Sequence, residues 1–390
     1  MFDAVKRLAL AGLGALALAG CAVIPGGNEA PVRNEPAVML PPPPPPPPDA
    51  DALPVDVERH RIALLVPLSG ENAEVGQSIA NASTMALLDT GAQNLRITTY
   101  DTGAGAGDAA RRAVADGNRL ILGPLVRDDV APVLAAARPA ATPLLTFSND
   151  TSVAQRDVFV MGHIPDQSVA RVVTFAVDQG ARTFAALAPR GDYGDRALRA
   201  LEQAVTASGA RVVRSERYDR NNTSILSAAD RLRAAGGYDT VLIADGARLA
   251  AMAAPRLKDA GQALPSIIGT ELWSREDELT RTPALRGAWF AAVPDARYRQ
   301  FAASYVSRFG SEPYRIATLG YDSVLLTLRL ARDWQPGRPL VPAMLTDEGG
   351  FLGLDGPIRF SADGVGHRAL EVRQIGNGAF TVVDPAPTGS

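Results

Sequence analysis

Cysteine is nearly absent: Cys21 is the only one in 390 residues. Without a second thiol the chain can form no internal disulfide, so its fold must hold by packing. Histidine is almost as scarce, and His60, His163 and His367 have no Cys or His neighbours at metal-ligand spacing. Each reads as a polar surface or turn residue. No Gly-x-Ser-x-Gly elbow supports a serine hydrolase. Gly103-Ala104-Gly105-Ala106-Gly107 lacks the third glycine of a dinucleotide loop, and no Gly-Lys-Ser/Thr follows it, so it reads as a loop. Asp192 and Asp195 flank Tyr193-Gly194, but Asp195 is the predicted N-cap of the next helix rather than half of an acid–base pair. The formal charge is only −3, with no basic stripe, which argues against a nucleic-acid partner. The sequence therefore predicts no enzyme: no catalytic residue, no metal and no cofactor.

The N-terminal segment carries a positive signal. Lys6 and Arg7 precede an unbroken run of Leu, Ala and Gly from Leu8 to Ala19, the anatomy of a secretory leader and too short to span a bilayer. Leu18-Ala19-Gly20-Cys21 resembles the lipobox of bacterial lipoproteins. That resemblance implies a signal peptide over 1–20, cleavage before Cys21, acylation of Cys21 and anchoring to a membrane. Ala22 at the next position implies sorting to the periplasmic face of the outer membrane. Residues 21–58 are rich in Pro, Gly, Asn and Glu and read as a disordered tether. Its block Pro41 to Pro48 predicts a polyproline II spacer of roughly 25 Å, at about 3.1 Å per residue.

From Arg61 onward strands and helices alternate. Ile62-Ala63-Leu64-Leu65-Val66 reads as a strand buried on both faces. A helix is predicted over about 73–89, with Gly91 closing it. The alternation continues to Phe147, restarts after His163 to Asp166, and runs to Gly269, which predicts two parallel α/β sheets in succession. Two helices are predicted within 298–332, and short strands with Gly and Asp turns beyond Gly349.

Four runs give this pattern a family likeness: Leu65-Val66-Pro67-Leu68-Ser69-Gly70, Ile121-Leu122-Gly123-Pro124, Tyr193-Gly194 before a helix, and Phe351 to Gly364. Gly320-Tyr321-Asp322-Ser323 adds a fifth. In that order the chain resembles a type I periplasmic-binding fold of the branched-chain amino-acid-binding class. The resemblance implies an α/β architecture of two lobes, each a parallel sheet flanked by helices, joined by three crossings. Lobe one is placed at 59–162 plus 294–347 and lobe two at 163–293 plus 348–384.

A ligand in such a fold lies between the lobes, at the carboxyl ends of the strands. The candidates are Ser69, Gly70, Leu125, Val126, Thr146, Ser148, Asn149, Tyr193, Asp245, Thr270, Glu271 and Trp273, with Trp273 the foremost of the three tryptophans. Amino-acid binders of this family carry hydroxyl residues after the Gly-Pro, where this chain has Leu125 and Val126. Arg127 could take an anion but reads as a solvated surface group. The apolar pair, the lipobox and the proline tether together resemble the penicillin-binding protein activators of the LpoA type. By that resemblance the partner is a class A penicillin-binding protein in peptidoglycan synthesis. The alternative is a substrate-binding lipoprotein of an ABC transporter, with an amino acid or related small solute in the cleft.

Overall fold

The structure is a computed structural model, and it describes residues 58–258 and 266–387. The expected signal peptide, Cys21 and the tether as far as Val57 lie outside the described residues.

The first lobe opens with β1 (His60–Val66), α1 (Ala73–Thr90), β2 (Leu95–Asp101), α2 (Ala106–Ala115), β3 (Leu120–Leu122), α3 (Arg127–Ala137), β4 (Leu144–Thr146) and β5 (Val158–Val160). Its five strands are parallel, in the order β2-β1-β3-β4-β5. The second lobe follows with α4 (Pro165–Asp178), β6 (Thr183–Pro189), α5 (Asp192–Ala207), β7 (Arg211–Tyr218), α6 (Ser224–Ala235), β8 (Thr240–Ile243), α7 (Ala247–Leu257), β9 (Ser266–Gly269), α8 (Asp277–Arg281) and β10 (Trp289–Ala292). The chain then returns to the first lobe for α9 (Ala296–Phe309) and α10 (Thr318–Leu330). It continues through β11 (Phe351–Gly353), β12 (Gly356–Phe360) and β13 (Gly366–Arg368), and ends in β14 (Glu371–Ile375) and β15 (Phe380–Asp384). The second sheet has seven strands in the order β15-β14-β10-β9-β8-β6-β7, with β14 and β15 joined antiparallel.

The alternation along β1 divides its side chains between two cores, as a strand covered on both faces requires. Ile62, Leu64 and Val66 pack with α1 and α10, whereas Ala63 and Leu65 pack with α2 and α3. In β6, Phe184, Ala186 and Ala188 meet α4 and α5, and Ala185 and Leu187 meet α6 and α7. Both lobes also place a helix directly beyond the end of a strand. A Cβ on Gly76 in α1 would stand 1.8 Å from the Pro67 carbonyl oxygen, and one on Gly194 in α5 would stand 1.9 Å from that of Pro189. Only glycine lets these helices seat so close to the strand ends.

Several expectations need correction. The segment 348–384 does not belong wholly to lobe two. Ile358 and Phe360 of β12 lie in the first lobe's core with Ile62 and Phe159, and Val365 bridges Val160, so the chain joins the second sheet only at Glu371. The short strand β5 carries no turn signal and was not anticipated. Helix α5 starts at Asp192 rather than Asp195, so Tyr193 and Gly194 lie inside its first turn. Asp195 pairs there with Arg217 at 2.6 Å instead of capping the helix. His60 is buried with its ring 4.3 Å from that of Trp334, and His163 is half-buried against Asp355. Of the three histidines only His367 is exposed.

Candidate functional site at the facing strand ends

The carboxyl ends of both sheets carry polar side chains. On the first lobe, Asp101 at the end of β2 accepts hydrogen bonds from the Leu68 N–H (2.7 Å), the Ser69 hydroxyl (2.7 Å) and the Gly103 N–H (2.8 Å). The exposed Ser69-Gly70 turn is thereby tied to its own lobe. Leu125 and Val126 are half-buried. Thr146 is corrected as a ligand candidate: it has no exposed surface, and its hydroxyl donates to the Pro124 carbonyl at 2.7 Å. Ser148 is buried and accepts from the Asp150 N–H, which leaves Asn149 as the half-buried polar group of this edge.

On the second lobe, the first turn of α5 lifts Tyr193 toward the end of β9. Its hydroxyl shares a 2.8 Å hydrogen bond with Thr270 and donates to Glu271 Oε1 at 3.1 Å. Glu271 Oε2 is buried without a partner, and burial pushes this carboxyl up to about 7. Burial, together with the charge of Glu271, holds the Tyr193 phenol well above its usual range. Arg220 lies 5.2 Å over the Tyr193 ring and donates to Asp245 Oδ2 at 2.9 Å. The Tyr218 hydroxyl reaches the same oxygen at 2.8 Å. Trp273 is likewise corrected. It is fully buried in the second lobe's core and spends its indole N–H on the Asp245 carbonyl at 2.8 Å.

Arginines span the two edges. Arg196 of α5 donates from Nη1 to the Asn149 carbonyl (2.7 Å) and from Nη2 to its side-chain oxygen (3.2 Å), so a second-lobe helix clasps the first lobe. Arg127 of α3 pairs with Asp150 at 2.8 Å and lies 3.7 Å from Asp192 on the opposite lobe. Burial disfavours the Asp150 carboxylate. Hydrogen bonds from Ser152 and the charges of Arg196 and Arg127 outweigh that and keep it below its ordinary range. Arg196 gave no sequence signal. Arg127, 48% exposed, is partly solvated as read but also serves the bridge.

Behind this edge the chain passes between the lobes three times, and buried charges tie the crossings together. Asp355 accepts from Arg315 Nη1 (2.8 Å) and from the Thr318 hydroxyl (2.8 Å), and lies 2.7 Å from His163 Nε2. Asp322 accepts the Leu354 N–H at 2.7 Å, and Arg373 donates to the Val293 carbonyl, Asp295 and Glu371, each at 2.6 Å. Burial pulls the His163 imidazole below its usual value despite Asp355, and burial with Asp355 pushes Asp322 up to about 7. Among the described residues no group of three acidic, His or Cys side chains could hold a metal ion, and no helix is long and apolar enough to cross a membrane.

A family model described as periplasmic binding protein matches residues 60–379. A protein of Rickettsia prowazekii is 27% identical over 172 residues, 43% of this chain and 45% of the relative, so the match spans under half of that relative's length. Among solved structures, a putative branched-chain amino acid ABC transporter protein from Rhodospirillum rubrum superposes with a TM-score of 0.73. It is 19% identical, with 83% of this chain and 100% of that one covered. A leucine-binding protein from Thermotoga maritima gives a TM-score of 0.64 at 19% identity, covering 84% and 98%. At these identities the likeness is one of fold.

Proposed function

The chain belongs to the periplasmic binding protein family, and from that premise we propose that it captures a small polar solute between its lobes and presents it to a membrane transporter. One observation carries this reading. Glu271 is a buried carboxyl at the end of a central strand, oriented by Tyr193 through one oxygen and unpartnered at the other. A buried acceptor left open in this way favours a guest that donates a hydrogen bond, such as an ammonium or amide group. Asn149 and Arg127 on the facing edge, with Arg196 of α5 reaching across to Asn149, offer polar contacts to the guest's other end. The leucine-binding relative makes amino acids the first solutes to test. No step of this function breaks or makes a covalent bond, so the protein acts by binding.

The family supports a periplasmic site of action. The run Leu18-Ala19-Gly20-Cys21 supports tethering there by a lipid on Cys21. The expectation of a class A penicillin-binding protein as partner draws on the sequence resemblance alone, and the relatives favour the transporter reading.

The test is thermal unfolding of the purified chain against a panel of amino acids and small organic acids, followed by calorimetry on any hit. A ligand at 100 times its Kd should add about 2.7 kcal/mol of stability by mass action, an increment that Glu271→Ala removes. If no compound shifts unfolding, and affinity capture from solubilised membranes recovers a class A penicillin-binding protein, the solute-binding reading is overturned in favour of the activator.

A further inference from the structure

The junction between the lobes encloses a separate small cavity of about 30 Å³, walled by His163, Gln167, Ser168, Glu271, Arg315 and Arg368 among others. Most of its polar wall is already engaged. Gln167 donates to the Gly366 carbonyl and accepts the Arg368 N–H, and the Ser168 hydroxyl donates to the Ala291 carbonyl at 2.6 Å.

The two guanidinium groups are engaged only in part. Arg368 is 8% exposed, and its side chain has one partner, the Met161 carbonyl, 2.8 Å from Nη2. Its Nε and Nη1 are buried without acceptors, and it makes no ion pair among the described residues. The charges nearest to it are already committed. Asp355 is held by Arg315, Thr318 and His163, and Asp322 by the N–H groups of Leu354 and Asp355. Arg315 spends Nη1 on Asp355 and Thr318 and lies 4.4 Å over the Tyr298 ring. Its Nε and Nη2 are buried without hydrogen bonds, and Asp295 Oδ1, 3.7 Å from Nη2, is beyond hydrogen-bond range. The residues lining the cavity therefore hold four guanidinium nitrogens that need an acceptor, against one orphan acceptor, Glu271 Oε2. A buried charge with unfilled donors is costly, and an anion of matching size relieves the cost directly.

We propose that this cavity binds one small monovalent anion, chloride or a formate-sized carboxylate, held by Arg368 and Arg315 where the chain crosses between the lobes. The volume admits one or two water-sized groups and excludes the larger solute proposed for the cleft. Glu271 at the wall does not repel the guest when it is in its acid form, which burial favours up to about pH 7. The cavity shares Glu271 with the cleft reading, but the proposal rests on Arg368 and Arg315, so an anion here would pin the crossings whatever the cleft holds.

The test uses the full-length chain in sodium gluconate, chloride, bromide or formate at equal ionic strength. Replacing gluconate with about 100 mM chloride, bromide or formate should raise Tm by about 2 °C. Arg368→Met should lose that increment, which separates site binding from general salt effects. If the variant does not fold, crystals of the unaltered chain soaked in bromide decide. The expected result is an anomalous peak within hydrogen-bond distance of Arg368 Nε or Nη1. Equal melting in all the salts, or ordered water at the site with no anomalous signal, overturns the proposal.

Discussion

Glu271 shows how one turn separates a site from a core. The short 3-10 turn Glu271–Trp273 follows β9, and within it Glu271 reaches Tyr193 while Trp273 fills the second lobe's interior. Strand-end position was readable from the alternation of elements, but the direction of each side chain within the turn was not, because a rotation of one residue exchanges cleft for core. The pH response of Glu271 follows from its environment. Burial raises its carboxyl from 4.5 to about 7, so the folded chain holds the proton more tightly than the unfolded one. The stability this residue contributes is full below about pH 4.5 and is lost as the pH rises through about 7. Urea midpoints of the unaltered chain, compared with those of Glu271→Gln from pH 4 to 8, should show the advantage of the acid form shrinking over that window. A constant difference between the two would contradict the assignment.

At the scale of elements, most of the architecture was legible. Continuous apolar runs of four to seven residues mark strands covered on both sides, and helical spacing marks the layers that cover them, so β1, α1, β6 and α6 fall close to their expected places. The misses have local causes. The three-residue strand β5 is too short to show a period, and β11, β12 and β13, which pair antiparallel with one another in a small third sheet, take their lobe from Ile358 and Phe360 reaching a core built by residues far earlier in the chain. The paired glycines offer a stability test. Gly76→Ala or Gly194→Ala forces a methyl against a backbone carbonyl that cannot move, and each should cost about 1–3 kcal/mol in denaturant titrations. Gly246→Ala, where a Cβ meets nothing within 4 Å, should stay within about 0.5 kcal/mol of the unaltered chain.

For the whole molecule, the relation of the two lobes rests on a few polar contacts rather than on a shared apolar core. The apolar clusters separate by sheet, and Arg196 on Asn149 is the hydrogen-bonded clasp at the open edge. Arg196→Ala should therefore raise the radius of gyration in small-angle scattering while leaving the far-ultraviolet circular dichroism unchanged. An unchanged radius would show that the hinge charges alone set the lobe angle.

The alternation of apolar runs and amphipathic helices, readable within windows of ten to twenty residues, determined by itself that this chain builds two sheets with parallel strands at their centres and polar groups at their carboxyl ends. Only the tertiary structure decided the rest. His163, Arg315, Asp322, Asp355 and Arg368 lie up to about two hundred positions apart and show no common local pattern, yet they meet at the crossings. Their charge becomes costly, and so informative, only once folding has removed them from water, which is a property of the packed molecule and of no segment within it.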